Sequence, residues 1–347
     1  MVSKIIFLLI FLHGSTSTTI ECPFPFETTG KTVQVLLQLR FYSLDDFQAV
    51  DGFLLVSGSL SATWHDPCGW NLAQRVYQNR VENATAITMD YKFFWIPVIT
   101  QDTAKNLRAF ENTGNMPLEV YDTGHVTYWG RKQWVADCTG SFHKFPFDEH
   151  LCELSYFAWE PIRFVNITEA KEVINEDVYN PDSLTLFTAE IKPAEVSELK
   201  YLCGNSTCIN AWASFSVSLK RKWFPYYFNN IFLPMLLLAI LQLSAFFIPH
   251  DEIDRITFSG TIFLSNAFIS SEITKYIPQT AEHVVVVTVS NMATVGSMLA
   301  IVVFVLSYLK KDIFQREKMV KIQKATTAIF ILFYSSLFVV SCAIIST

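Results

Sequence analysis

From Thr32 the chain alternates in polarity, with Val33, Val35, Leu37, Leu39 and Phe41 on one side and Gln34, Gln38 and Arg40 largely on the other. A period of two predicts a strand with one buried face. Residues 53–60, 86–89, 126–134, 184–191 and 213–220 read the same way, separated by turn clusters such as Asp66-Pro67-Cys68-Gly69 and Asn112-Thr113-Gly114-Asn115. Short helices are expected only near 43–47 and 102–110. Many short strands with few helical stretches predict an all-β sandwich, immunoglobulin-like in architecture.

The texture changes at Phe224. Residues 224–248, 256–276, 284–309 and 325–347 form four apolar stretches, each long enough to cross a bilayer. The second is unusual, because it contains Thr257, Ser259, Thr261, Ser265, Asn266, Ser270, Ser271 and Glu272. Taken every three or four residues, Thr257, Thr261, Leu264, Phe268, Ser271 and Lys275 fall on one face, polar at both ends and bulky in the middle. Two arrangements suit that face. Several copies around an axis would make it a pore lining with an apolar constriction. A helix buried in a bundle would instead bond its hydroxyls back to its own backbone.

Composition agrees with a membrane protein: 51% of the 347 residues are hydrophobic and 17% are charged. The formal net charge of −6, without a basic patch interleaved with aromatics, gives no basis for a nucleic-acid partner. Residues 1–17 carry Lys4, an apolar run from Ile5 to Leu12 and small polar residues, the pattern of a signal peptide. The expected division is then a signal peptide (1–17), an extracellular domain (18–222) and a membrane domain (223–347). Lys310, Lys311, Arg316, Lys318, Lys321 and Lys324 outnumber Asp312 and Glu317 in the connector 310–324, which places it in the cytoplasm and both termini outside. Before the second span, Glu252 and Asp254 would concentrate cations at an inner pore mouth if repeated around a ring. Taken alone, they also suit a solvated turn.

Of seven cysteines, Cys342 lies in the last apolar stretch and six precede the first. An even number in a secreted region favours disulfides. Cys138 and Cys152 are near neighbours, as are Cys203 and Cys208, leaving Cys22 and Cys68; short spacing alone does not prove bonding. No histidine stands at ligand spacing to these thiols, so no metal site is expected, and no cofactor is implied. The sequons at Asn83, Asn166 and Asn205 all precede the first span, as glycosylation of an external domain requires. No nucleophile–base set, phosphate loop or metal cluster points to an enzyme.

Cys138 and Cys152 with thirteen residues between them, the Phe145-Pro146-Phe147-Asp148 tip, Trp64-His65-Asp66, Trp95-Ile96-Pro97 and Pro234 in the first span together resemble the Cys-loop receptor family of pentameric ligand-gated ion channels. The chain looks like a divergent, invertebrate-type member with a short cytoplasmic loop. The resemblance implies a plasma-membrane channel subunit, assembled as a homopentamer or with sister subunits, surrounded by membrane lipid. A small-molecule agonist bound between subunits would open it to monovalent cations. The second span would line the pore, with Leu264 at the central leucine ring. Phe145, Pro146, Phe147 and Asp148 would press on the linker Tyr276-Ile277-Pro278-Gln279-Thr280, with Arg221 or Lys222 as the basic coupling point. Without the family, those bases read equally well as interfacial snorkelling residues. Trp159 matches the aromatic box that holds agonist ammonium groups, and Tyr201 the first tyrosine of a capping loop closed by Cys203 and Cys208. Trp212 stands in for a later tyrosine. Asp102 and Ser59 fall where aromatics are expected, which also suits a modulatory or silent subunit that needs a partner subunit for a complete site.

Overall fold

A computed structural model of the chain describes residues 22, 24–76, 85–102, 108–109, 118–174, 184–203, 206–249, 253–277, 283–309, 321, 324–336 and 339. Among these, twelve strands precede a helical domain. The strands are β1 (Val33–Gln48), β2 (Phe53–His65), β3 (Ala86–Met89), β4 (Ile99–Asp102), β5 (Arg108–Ala109), β6 (Leu118–Tyr121), β7 (His125–Gly140), β8 (Glu149–Ala158), β9 (Val165–Ile174), β10 (Phe187–Ile191), β11 (Glu195–Cys203) and β12 (Ser206–Arg221). Two short helices join them, α1 (Pro25–Thr29) and α2 (Gly69–Val76). Hydrogen bonding runs β10-β12-β8-β7-β2-β1-β9, with β1 and β9 parallel. The path folds over on itself, so that Ile162 beside β9 donates its N–H to the Ile209 carbonyl on β12 at 2.9 Å. That closure makes the two layers of a sandwich.

The alternating residues of β1 are its core face: Val33, Val35, Leu37, Leu39 and Phe41 are all buried, against Leu54, Val56, Leu60 and Trp64 of β2. Each such side chain contributes about 1.5–3 kcal/mol by leaving water. At Gly58 a Cβ would collide with the Arg40 carbonyl oxygen, so only glycine admits this close pairing of β1 and β2.

Two local expectations fail. Residues 43–47 are strand, the end of β1, with irregular pairing around Tyr42 and Asp45. Leu44 is buried there while Asp45 and Asp46 face solvent, so pairing with β2 overrides a locally polar, helix-compatible composition. Around 102–110, Asp102 ends β4 and Arg108–Ala109 is β5, paired through Thr100 with Ala109. At Asp102 and Arg108–Ala109 strand replaces the expected helix, because β4 is itself held by β8; residues 103–107 and 110 lie outside the described residues.

Helix α3 (Leu233–Ser244) is entered through a π-helical turn at Phe228–Phe232. Pro234 explains the wider turn: it has no N–H to give the carbonyl four residues back, and its ring crowds that carbonyl. α4 (Asp254–Thr274) and α5 (Val285–Leu309) follow, and residues 324–336 form α6. Phe228–Phe247 and Val285–Leu309 are long and apolar enough to cross a membrane, whereas α4 is as long but more polar.

Candidate functional site

Where the two domains meet, a set of charges is buried. Cys138 and Cys152 are directly opposed on β7 and β8 and joined by a disulfide; Cys22 and Cys68 form a second. The loop between Cys138 and Cys152 leaves the sheet and turns at 143–147. Its Asp148, 2% exposed, accepts from Arg221 Nε at 2.7 Å and Nη2 at 2.8 Å, and from His150 Nε2 at 2.5 Å. Arg221, the last residue of β12, also donates to the Tyr227 hydroxyl at 2.6 Å and lies over the rings of Phe145, Phe187 and Tyr227. The planar fork of arginine suits this bidentate, ring-stacked position. Between the two bases left open by the sequence, Arg221 is the buried partner, and Lys222 is half-buried beside it.

The tip residue Phe145 is buried, edge-on to Tyr227 at 5.5 Å, in one cluster with Phe142, Ile231, Ile273, Ile277 and Val284. Phe147 instead faces Trp223 at 5.3 Å and Phe232 at 6.3 Å, and Pro146 is buried between them in sequence. The tip therefore presses on the head of the first span as well as on Tyr276 and Ile277; Pro278 to Thr280 lie outside the described residues. A further link is His143, whose Nδ1 lies 2.6 Å from the His283 carbonyl, while the Val285 N–H donates to the His143 carbonyl at 3.2 Å. Phe142, His143, His150, Tyr227 and His283 were not among the expected residues. Only the density of aromatics at 223–228 hinted at Tyr227, because the pairings span up to 140 residues of sequence.

Burial by itself would raise the Asp148 carboxyl, but the hydrogen bonds from His150 and Arg221 and their charges outweigh it and hold it below the ordinary aspartate range. With the folded value below the unfolded one, the ionised group adds stability that is complete above the ordinary aspartate pKa of about 3.9. That contribution is lost as pH falls through the lowered folded value. The difference in melting temperature between the wild type and Asp148→Asn should therefore shrink on acidification through this window. Parallel acid limbs would show that the carboxylate titrates normally.

The second group is aromatic. Trp159, the residue after β8, is 56% exposed, and Phe157 beside it lies between Trp159 at 5.5 Å and Trp212 of β12, whose ring is stacked 6.3 Å away. Phe157 was not expected, although alternation along β8 puts it on the same face as Trp159. Asn210, 1% exposed, ties the group together: its amide donates to the carbonyls of Ala158 at 2.7 Å and Trp159 at 3.2 Å, and accepts from the exposed Tyr201 at 3.3 Å. Cys208 is disulfide-bonded, while the side chain of Cys203 lies outside the described residues. Asp102 ends β4 opposite Ser155, and the Ser59 hydroxyl accepts from Tyr42 at 3.0 Å. Asn166 is half-buried on β9; Asn83 and Asn205 lie outside the described residues.

The third is α4, whose polar groups divide between two faces. Ser259 and Asn266 are buried, with Asn266 donating to Ser297 of α5 at 2.8 Å, and Ser270 donates to Asn291 at 2.7 Å. Thr257, Thr261, Leu264, Phe268, Ser271 and Lys275 are all exposed, Leu264 at 67% and Phe268 at 65%. Thr261 bonds back to the Thr257 carbonyl at 3.1 Å, and Lys275 pairs with Glu272 at 2.5 Å. Asp254 is exposed at the first turn, and Glu252 lies outside the described residues. Arg255 is buried, 3.8 Å from the Phe304 ring and donating to the Ala245 carbonyl at 3.1 Å, which turns its charge into the bundle.

A disulfide-stapled loop seated on a helical membrane domain, below an exposed aromatic cluster, defines a receptor-type membrane protein. Residues 21–222 match the family described as neurotransmitter-gated ion-channel ligand binding domain. The chain belongs to that family, the Cys-loop pentameric ligand-gated ion channels. It is similar to 5-hydroxytryptamine receptor 3A of Mus musculus (25% identical over 244 residues, 68% of this chain and 48% of the relative). It is also similar to acetylcholine receptor subunit alpha-type unc-38 of Caenorhabditis elegans (22% over 282 residues, 74% and 53%). Proton-gated ion channel subunit pbo-6 of the same organism is 23% identical over 198 residues, 55% of this chain and 44% of the relative. The chain spans about half the length of the curated relatives it matches.

Proposed function

We propose that this chain is one subunit of a five-fold, cation-selective channel opened by an extracellular small molecule held between subunits. The observation that carries this is the uncovered face of α4. Among the described residues, Asn266 and Ser270 bond to Ser297 and Asn291 of α5, whereas Leu264 and Phe268 stay about two-thirds exposed beside Pro234, Leu237 and Leu238. Two large apolar residues exposed between hydroxyls suit a water-filled axis that dewets at its middle. Trp159, Tyr201 and Trp212, with Phe157 behind them and the Cys203–Cys208 turn as cap, form the principal side of the agonist site. Movement of that cap passes down β12 to Arg221, and through Asp148 and the Phe145–Phe147 tip to the spans. Planar bilayer recording of the purified oligomer tests the proposal; silence under every ligand and pH would sink it.

Cation selectivity follows from Glu252 and Asp254 at the inner mouth, because Arg255 points into the bundle and does not offset them. In a salt gradient, the Glu252→Gln/Asp254→Asn channel should reverse at a potential moved toward that of the anion. An unmoved reversal potential would remove these acids from selectivity.

A second reading, a modulatory subunit that binds agonist only beside a sister chain, is favoured by Ser59 and Asp102 where aromatics would complete the box. Ser59 is already engaged by Tyr42. Agonist-evoked current from this chain expressed alone would exclude it.

A further inference from the structure

At the end of the sheet remote from the disulfide loop, two imidazoles face each other. His65 ends β2 and His125 begins β7, and the strand register sets them directly opposite. β2 has thirteen residues, about 40 Å of strand, and its other end at Phe53 pairs with Asp137, next to the disulfide. Alternation puts both histidines on the outer face with Thr63 and Thr127, whose hydroxyls meet at 2.9 Å, while Trp64 and Val126 point into the core. The two rings are exposed and nearly perpendicular, at 82° with centroids 5.5 Å apart. A tight turn holds them there. The Gly124 N–H donates to the Tyr121 carbonyl and the Gly124 carbonyl accepts from the Asp66 N–H, each at 2.9 Å, which pins the turn beside His65. Gly124 has φ +79°, and a Cβ on it would come within 3.0 Å of His65 Nε2, so glycine keeps that nitrogen uncovered on this side. On the other ring, His125 Nδ1 lies 3.0 Å from the Thr123 hydroxyl.

Ring contact alone would suit any two aromatics. A histidine tied through Nδ1 is the arrangement that orients a ligating imidazole, since Nδ1–H donating to Thr123 leaves the lone pair on Nε2. We propose that His65 and His125 together chelate one divalent transition-metal ion of the zinc class, with water completing its shell. Imidazole nitrogen selects such an ion over calcium or magnesium, which take oxygen ligands. A tetrahedral ion bonds each nitrogen at about 2.0–2.1 Å and accepts two rings set at a wide angle. The ion would staple β2 to β7 from the solvent side. The two histidines are far apart in sequence, so no ligand spacing announces the site; pairing of the strands creates it. The other close set of ligand types, Cys22, Asp66 and Cys68, has its sulfurs bonded to each other and offers no thiolate. The inference needs only the cross-strand pair, not the gating scheme.

The test is isothermal titration of the purified full-length oligomer with zinc chloride in chelator-free buffer. One ion should bind per chain at this site. His65→Gln and His125→Gln, both on the exposed face, should each weaken binding about a hundredfold, and the double variant should bind no more weakly than either, because one ion uses both rings. Thr123→Ala keeps both ligands and should weaken binding about tenfold, as loss of an orienting partner does. Zinc should raise the melting temperature of the wild type and leave that of the double variant unmoved. Oligomers of unchanged size, with the wild-type melting temperature in the absence of zinc, establish that the variants are folded. Unchanged affinity in both single variants would overturn the proposal. So would two ions per chain, each lost with one histidine. Binding lost in His143→Gln but kept in His65→Gln would also overturn it, by moving the ion to the His143 and His283 rings, 6.0 Å apart at the domain junction.

Discussion

Asp148→Asn should lower the unfolding free energy by about 3–5 kcal/mol, because it leaves a buried guanidinium facing an amide. Arg221 is 6% exposed and gives the carboxylate two hydrogen bonds, so water cannot replace the lost partner without opening the interface. Arg221→Gln should cost a similar amount by stranding the carboxylate, and His150 would then be its remaining donor. The double variant should cost well below the sum, since one desolvated pair is removed once rather than twice. Chemical denaturation of the purified protein reads these values. Single effects below about 1 kcal/mol would place the pair among weak surface bridges and deny it a structural role. Function should be lost before folding is. Asp148 lies on the disulfide loop and Arg221 on the strand that enters the first span, so a variant folded at low temperature should bind at Trp159 yet conduct little.

Leu264→Thr should produce spontaneous or strongly sensitised opening. Leu264 is 67% exposed on the uncovered face of α4, flanked one turn away by Thr261 and Phe268. A five-fold ring of leucines resists water, and a ring of hydroxyls does not. If each copy loses about one methylene of apolar contact, roughly 0.8 kcal/mol, five copies lose about 4 kcal/mol. That is about a thousandfold in the ratio of open to closed channels. Leak current at matched surface expression is the measurement. An unchanged leak would mean that Leu264 faces lipid or a neighbouring subunit, and the pore stripe would have to be assigned elsewhere on α4.

The sheet was legible because its signal is local: the inward residues of β1 alternate without a break from Val33 to Phe41, and burial follows that alternation. The helices at Leu233–Ser244, Asp254–Thr274 and Val285–Leu309 were legible for the same reason, since length and polarity are properties of a single stretch. At 43–47, Asp102 and Arg108–Ala109 local composition misled, because cross-strand partners seven to fifty-three residues away decide the state of those segments. The aromatic cluster was half legible. Trp159, Tyr201 and Trp212 carry sequence signals, but Asn210, which joins two of them, has none, because its role depends on the registration of β11 and β12 beside β8.

By itself, then, the sequence determined the periodicities: a half-buried sheet, apolar spans, a polar second helix and cysteines at disulfide spacing. These follow from how each short stretch partitions between water and apolar surroundings. Tertiary structure alone decided which charges meet. Asp148 and Arg221 lie 73 residues apart. No local propensity encodes such a pair; it exists because burial at the domain junction makes an unpartnered charge too costly to keep.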